Sequence, residues 1–351
     1  MTEDLNDRSQ NILKAIILSY IRTAYPVGSR TLTKTFDFGL SPASIRNIMA
    51  DLEEMGYLIQ PHPSAGRMPS EKGYRFYVDG LLSEADPEVK NYDFGAQQYS
   101  LHKTDDVRGL LQETSKMLSL CSHYAGIVLT PKFSNMLFQH LQFIKLRRHH
   151  ILIVFVSTEG LAQTKIIETD EDFAQQDLDR FSFFLNDRFK GLTLQEIRTI
   201  LLDQMWEDKE SYNRLLQMAL EPISESLKEA QGEELYLEGA TNILEQPEFS
   251  DVEKMKALFR TFEEKYNIMK LLDKCFNSER VQVFIGSENA FLGTNECSLV
   301  ITNYKRGNQA LGALGIIGPI RMEYSRVISL VDYTARLLSQ TLAETAESKS
   351  I

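Results

Sequence analysis

Ser41 to Gly80 reads SPASIRNIMADLEEMGYLIQPHPSAGRMPSEKGYRFYVDG, a pattern of helix, two-stranded hairpin and second helix. Ser41 is a good N-cap, because its hydroxyl accepts from an otherwise orphan backbone N–H. Pro42 follows at the first helical position, where its missing N–H is no loss. Ile45, Ile48, Met49, Leu52 and Met55 recur at helical spacing and predict one buried stripe. Gly56 suits the left-handed residue that closes such a helix. Ser44, Arg46 and Asn47 fall outside the stripe, near the N-terminal end. Short polar groups and a guanidinium there suit contact with phosphates and base edges in a major groove.

The residues upstream complete a three-helix unit. Asn6 or Asp7 can cap a first helix carrying Leu13, Ile16, Ile17, Tyr20, Ile21 and Ala24, which Pro26 and Gly28 stop. Ser29 is expected to cap a short second helix with Leu32 and Phe36 on its inner face, and Asp37 to Leu40 turns into the third. This is a helix-turn-helix pattern. Tyr57 to Gln60 and Arg67 to Met68 are strand candidates flanking a tip broken by Pro61, Pro63 and Gly66. Small residues and one guanidinium at that tip would allow close approach to a sugar-phosphate backbone. A winged helix used only for protein contact would share the helical pattern, so the pattern alone leaves that alternative open.

Longer motifs narrow the choice. PVGSRTL at Pro26 to Leu32, ASIRN at Ala43 to Asn47, DLEEMGYL at Asp51 to Leu58, PHPSAGR at Pro61 to Arg67 and KGYRFYVD at Lys72 to Asp79 resemble the heat-inducible transcription repressor family HrcA. LYLEGATNIL at Leu235 to Leu244, IGSEN at Ile285 to Asn289 and LGIIGPIRMEYSRVISLVDYTARLLSQTL at Leu314 to Leu342 resemble it in the same order. Two positions depart from the family pattern: Ile48 stands where an acidic residue is common, and Pro63 where threonine is common. Ile48 fits the buried stripe and Pro63 stiffens the wing; neither removes an arginine.

Size and charge agree with a multidomain regulator. A chain of 351 residues holds two or three domains with ample core. The opening MTEDLND is acidic and unlike a secretory signal, and no apolar run approaches a membrane span, so a cytoplasmic location without membrane association is expected. Cys121, Cys275 and Cys297 are odd in number and far apart, which points to a reducing compartment rather than a disulfide framework. The net charge of −11 lies entirely outside residues 1–82, where nine Lys/Arg balance nine Asp/Glu. Attraction to nucleic acid is therefore local, from Arg30, Lys34, Arg46, Arg67, Lys72 and Arg75, while the body repels it.

Beyond the wing, Gly73 to Leu82 predicts a connecting helix and Ser83 to Gln98 a linker. Val107 to Ser122 has helical spacing, and Ala125 to Leu129, Leu137 to Leu146, His150 to Ser157 and Ala162 to Ile167 are strand candidates, the last two a hairpin turned by Gly160. Asp172 to Gln231 is mostly helical, with stripes from Phe181 to Phe189, Leu194 to Met205 and Leu215 to Ile223, and the lone Trp206 reads as either an interface anchor or a core aromatic. Leu235 to Leu237 is a strand and Val252 to Phe276 a helix. Val281 to Ile285, Cys297 to Tyr304 and Gln309 to Ile317 are strands before a helix near Ser325 to Thr341. The predicted class is α+β multidomain: an N-terminal winged helix-turn-helix (1–82), a linker (83–98), and an α/β domain in two parts (99–172 and 246–345) around a mostly helical insert (173–245). The resemblance implies that the split domain is GAF-like and the insert dimerising.

No phosphate loop, nucleophile elbow or H-E-x-x-H pattern occurs, so no catalytic residue is expected. Gly312, Gly315 and Gly318 read as a bulged, tightly packed strand rather than a nucleotide loop. The Cys121/His123 and His149/His150 pairs and the acidic run Glu168 to Asp172 are too sparse to define a metal site, and no cofactor is expected. The expected DNA-binding set is Arg46 and Asn47 on bases, Arg30 and Ser44 toward phosphates, Arg67 at the wing tip, Lys72 and Arg75 in support, and Ser29. The resemblance implies a homodimeric repressor of chaperone operons on the inverted-repeat CIRCE operator, with a chaperonin as modulator that heat stress draws away. A regulator that senses a small molecule through the GAF-like domain is the alternative.

Overall fold

The computed structural model describes residues 5–84, 107–131, 136–158, 162–169, 172–193, 234–263, 280–289, 295–307 and 309–348, with a few single positions between them. The first unit is α1 (Asp7–Thr23), α2 (Ser29–Thr35), α3 (Pro42–Glu54) and a hairpin of β1 (Leu58–Ile59) and β2 (Met68–Pro69). Asn6 caps α1, its side chain accepting from the Ser9 N–H at 2.9 Å. α1 ends before Pro26, at Ala24 in the left-handed region. Ser29 is not a cap: extended Gly28 takes that place, and Ser29 is the buried first residue of α2. In α3, Ile45, Met49 and Leu52 are buried as the stripe requires, Ile48 is half-buried, and Met55 is 39% exposed beyond the last turn. Gly56 takes φ +80°, a value that a side chain would strain. The hairpin pairs Leu58 with Pro69 and Ile59 with Met68, so Arg67 lies outside its second strand.

Then come α4 (Glu71–Glu84), α5 (Val107–Ser122) and β3 (Ala125–Leu129). β4 (Phe138–Arg147), β5 (His150–Ser157) and β6 (Ala162–Glu168) precede α6 (Gln175–Phe189). The chain continues through β7 (Leu235–Glu238), α7 (Ala240–Leu244), a 3₁₀ turn (Pro247–Phe249) and α8 (Val252–Glu263). It then runs through β8 (Gln282–Ile285), a 3₁₀ turn (Gly286–Glu288), β9 (Cys297–Arg306), β10 (Gln309–Pro319) and α9 (Tyr324–Ser348).

A five-stranded antiparallel sheet, ordered β7-β3-β10-β9-β8, forms the body. Alternation divides its apolar side chains between two cores. Val128, Val300, Leu314 and Ile316 face α5 and α9, in a core continuous with that of the first unit. Ile127, Leu129, Leu299, Ile301 and Ile317 face Ile243, Phe249, Leu258 and Phe262 on the other side. Burial on both faces is why these strands read as apolar runs. The β10 glycines follow the same packing. A side chain at Gly312, beside a bulge, would collide with the Tyr304 phenol, whose hydroxyl donates to the Leu129 carbonyl at 2.7 Å.

β4, β5 and β6 do not join this sheet. They form an antiparallel sheet of their own, and Phe138, Phe143, Ile153 and Phe155 pack against Leu178, Phe181, Leu185 and Phe189 of α6. β10 and β7 occupy both hydrogen-bonding edges of β3, so β4, the next strand in sequence, does not pair with it. Three of the four strands expected in the first part of the body thus belong with α6, and β3 stays in the body. Conversely β7 and α7, expected in the insert, belong to the body core. The linker beyond Glu84, Gly160, most of the two stripes after Phe189, Trp206, Cys275 and the far end of the 252–276 helix lie outside the described residues. Among the described residues no helix is long and apolar enough to cross a membrane.

Candidate nucleic-acid interface

α3 presents two very different ends. At its N-terminus, Ser41 Oγ accepts from the Ser44 N–H at 3.1 Å and lies 3.0 Å from Ser44 Oγ. Ser44 therefore serves the cap as well as facing outward. Arg46 and Asn47 are exposed on the next turn, while neighbouring Ile45 is fully buried and pins the helix. Arg30 and Lys34 of α2 are exposed too. Among the described residues, neither Arg30 nor Arg46 has an ion pair or a side-chain hydrogen bond. The positive end of the helix dipole adds to these guanidiniums, which suits a phosphate.

The other end of α3, about 20 Å away at the helical rise per residue, holds the cations that do have partners. Lys72 donates to the Met55 carbonyl at 2.8 Å and sits 4.2 Å from the centroid of the Tyr57 ring. It closes the C-terminal end of α3, where helix carbonyls are orphaned and a cation is favoured. Arg67 is not at the wing tip. Its backbone pairs both ways with Val27, at 2.8 and 2.9 Å, and its Nε is 2.7 Å from Glu53 Oε2 with the side chain 19% exposed. Arg75 faces the body. Its Nε donates to Glu288 at 2.9 Å, one terminal nitrogen to the Val283 carbonyl at 2.6 Å, and the other to Asp79 at 3.3 Å. Burial lowers the Arg75 pKa, but hydrogen bonding and charge from Glu288 and Asp79 outweigh this and leave it raised. Of the eight predicted site residues, the fold brings Arg30, Ser44, Arg46 and Asn47 to one exposed end. It buries Ser29 and gives Arg67, Lys72 and Arg75 partners within the protein, Lys72 while still exposed.

The wing tip carries a feature that pattern reading missed. The Gln60 side-chain amide donates to the Pro63 carbonyl at 2.9 Å and the Ala65 carbonyl at 3.0 Å, folding the tip back on its own strand. That leaves His62 and Ser64 as its exposed polar groups. An amide bordering a Pro-x-Pro loop was the available signal, since such a loop needs donors for its carbonyls. Elsewhere, Cys121 and Cys297 are buried, and burial, with Glu296 adding to it, pushes the Cys297 thiol up to about 12. No group of three potential metal ligands occurs among the described residues.

The family model described as "HrcA protein C terminal domain" matches residues 108–328. A heat-inducible transcription repressor HrcA of Geobacter sulfurreducens is 46% identical over 339 residues, covering 97% of this chain and 98% of the relative. The chain belongs to the HrcA family. A second HrcA, from Syntrophobacter fumaroxidans, is 41% identical over 346 residues, covering 98% of this chain and 99% of the relative. HrcA proteins are heat-inducible transcription repressors, which is not an enzyme class. The match to these HrcA relatives extends over the three-helix unit that precedes the C-terminal family model. A crystal structure described only as a hypothetical protein shares the fold, with a TM-score of 0.60 at 22% identity, covering 97% of this chain and all of the other.

Proposed function

We propose that residues 5–84 are a winged helix-turn-helix head that reads DNA through the exposed end of α2 and α3. The observation that carries this reading is a set of exposed guanidinium and amide groups on one anchored helix end, Arg46 and Asn47 with Arg30 beside them, in an HrcA-family chain. Arg46 and Asn47 meet base edges, Arg30 and the capped first turn meet phosphates, and the tip at His62 and Ser64 approaches the backbone. The five-stranded sheet with its helices is the GAF-like body. The three-stranded sheet with α6 begins the insert, which starts after β3 and ends before β7.

Two chains act together, because an inverted repeat demands two-fold symmetry of the protein. Support for pairing through the insert comes from the face of its sheet opposite α6. There Ile144, Leu152 and Ile166 form one cross-strand row, and Ile166 is 58% exposed. The operator is the CIRCE repeat upstream of chaperone operons. A chaperonin keeps the repressor active until unfolded protein draws it away. Fluorescence anisotropy of a labelled CIRCE duplex, with and without chaperonin, tests this against a duplex with one half-site scrambled. Tight binding to the intact repeat, strengthened by chaperonin, is the expected result. Equal binding to both duplexes would overturn it.

A further inference from the structure

The head is joined to the body at two separate places around an apolar centre. At the centre, the Tyr74 ring of α4 lies 5.9 Å from the Tyr324 ring of α9. Tyr324 is fully buried, with its hydroxyl 2.7 Å from Ser298 Oγ and 2.7 Å from the Ile320 carbonyl oxygen. On one side, Glu71 and Arg75 stand one turn apart on α4 and reach the same 3₁₀ turn. Glu71 accepts from the Ser287 N–H at 3.2 Å and contacts its hydroxyl, while Arg75 engages Glu288 and the Val283 carbonyl. Glu288 is held in turn by the Ile285 N–H at 2.9 Å. The turn is shaped for this: Gly286 has φ +51°, and a Cβ there would overlap the Glu71 carboxylate. On the other side, Arg321 pairs with Glu248 and donates to the Ile21 carbonyl in the last turn of α1 at 2.9 Å. That carbonyl lacks an intrahelical partner, so the guanidinium satisfies an orphan group.

Two anchors on different helices do more than attach. One anchor permits a swivel; two, on either side of a packed aromatic pair, fix rotation as well as distance. We propose that Glu71, Arg75 and Arg321 are positioning residues that set the half-site spacing the repressor accepts, by fixing the angle and separation of its two α3 helices. This rests on the dimeric operator-binding reading above. A head held only by a flexible connection would tolerate many spacings, because its linker would limit reach alone. A head fixed to the body tolerates few, since half-site spacing must match the protein geometry.

The test uses full-length protein and duplexes carrying identical half-sites with the spacer changed by single base pairs, plus an isolated half-site. Wild type is compared with Glu288→Gln and Gly286→Ala, which loosen the α4 anchor from the body side, and with Arg321→Ala. Wild type should favour one spacer at least about tenfold over spacers two base pairs away, because the second half-site counts only where geometry allows it. The body-side variants should reduce this preference to about threefold while holding isolated half-site affinity within about twofold. Melting curves establish folding, and Ser287→Ala, which removes one hydroxyl from the Glu71 contact, replaces any variant that fails to fold. An unchanged spacer profile in every folded variant overturns the proposal. A wild-type protein that binds the half-site but ignores spacing overturns it too and leaves the DNA-binding reading standing. Binding to neither duplex class overturns both.

Discussion

The two ends of the head use the same residue types for opposite purposes. At the α2–α3 end, Arg30 and Arg46 are exposed and carry no ion pair to a described residue. At the α3–α4 end, Arg67, Lys72 and Arg75 are each engaged, by Glu53, by the Met55 carbonyl and Tyr57, and by Glu288. A cation near the helix proposed to read DNA is thus not a DNA contact by proximity alone. Its remaining hydrogen-bonding capacity decides, and here that capacity is engaged by the C-terminal end of α3 and by the body. One end keeps its donors for a partner, and the other uses them to hold the first in place.

Substitutions should separate the two ends into affinity effects and stability effects. The largest stability effect is expected for Arg321→Ala, which strands Glu248 in a pair whose side chains are 13% and 21% exposed. A loss of about 3 kcal/mol is expected for breaking such a pair, read as a lower melting temperature. Arg46→Ala belongs to the opposite class: its melting curve should match wild type while operator binding weakens by about 1–3 kcal/mol per half-site. If its melting temperature falls instead, the two ends are not distinct. Ser41→Ala removes the α3 cap and should lower stability by about 1 kcal/mol, with Ser41→Asp restoring it in the same melts.

Lys72→Ala gives the smallest effect and sharpens the contrast most. Losing its carbonyl and ring contacts should lower stability by about 0.5–1 kcal/mol. The dependence of log affinity on log salt should stay as in wild type. A lysine bound to phosphate would instead reduce that slope by about one, which would return Lys72 to the DNA-binding set.

Much of the head was legible in the chain because its signals are local. Ser41, Pro42 and Gly56 mark both ends of α3, and Ile45, Met49 and Leu52 mark its inner face within a single helix. The exposed end followed from that same periodicity, so the exposure of Arg46 and Asn47 was legible without tertiary information. The β10 glycines were also legible, since three of them in an apolar run suit only close packing. The contacts of Arg75 were not legible, because its partners, Glu288 and the Val283 carbonyl, lie more than two hundred positions away in sequence. Ser29 was misread because the choice between it and Gly28 as cap depends on how α2 settles on the core.

The sequence by itself determined the kinds of element, the exposed face of α3 and, through motifs spread along the chain, membership of the HrcA family. Those depend on side-chain period and turn chemistry, which act over a few residues. Only the tertiary structure decided which strands share a sheet and which cations are spent. β4 does not pair with its predecessor β3, whose edges are filled by β10 and by β7 from more than a hundred residues downstream. Edges and counter-charges are filled by whatever the fold brings to them, and no local pattern records which segment that will be.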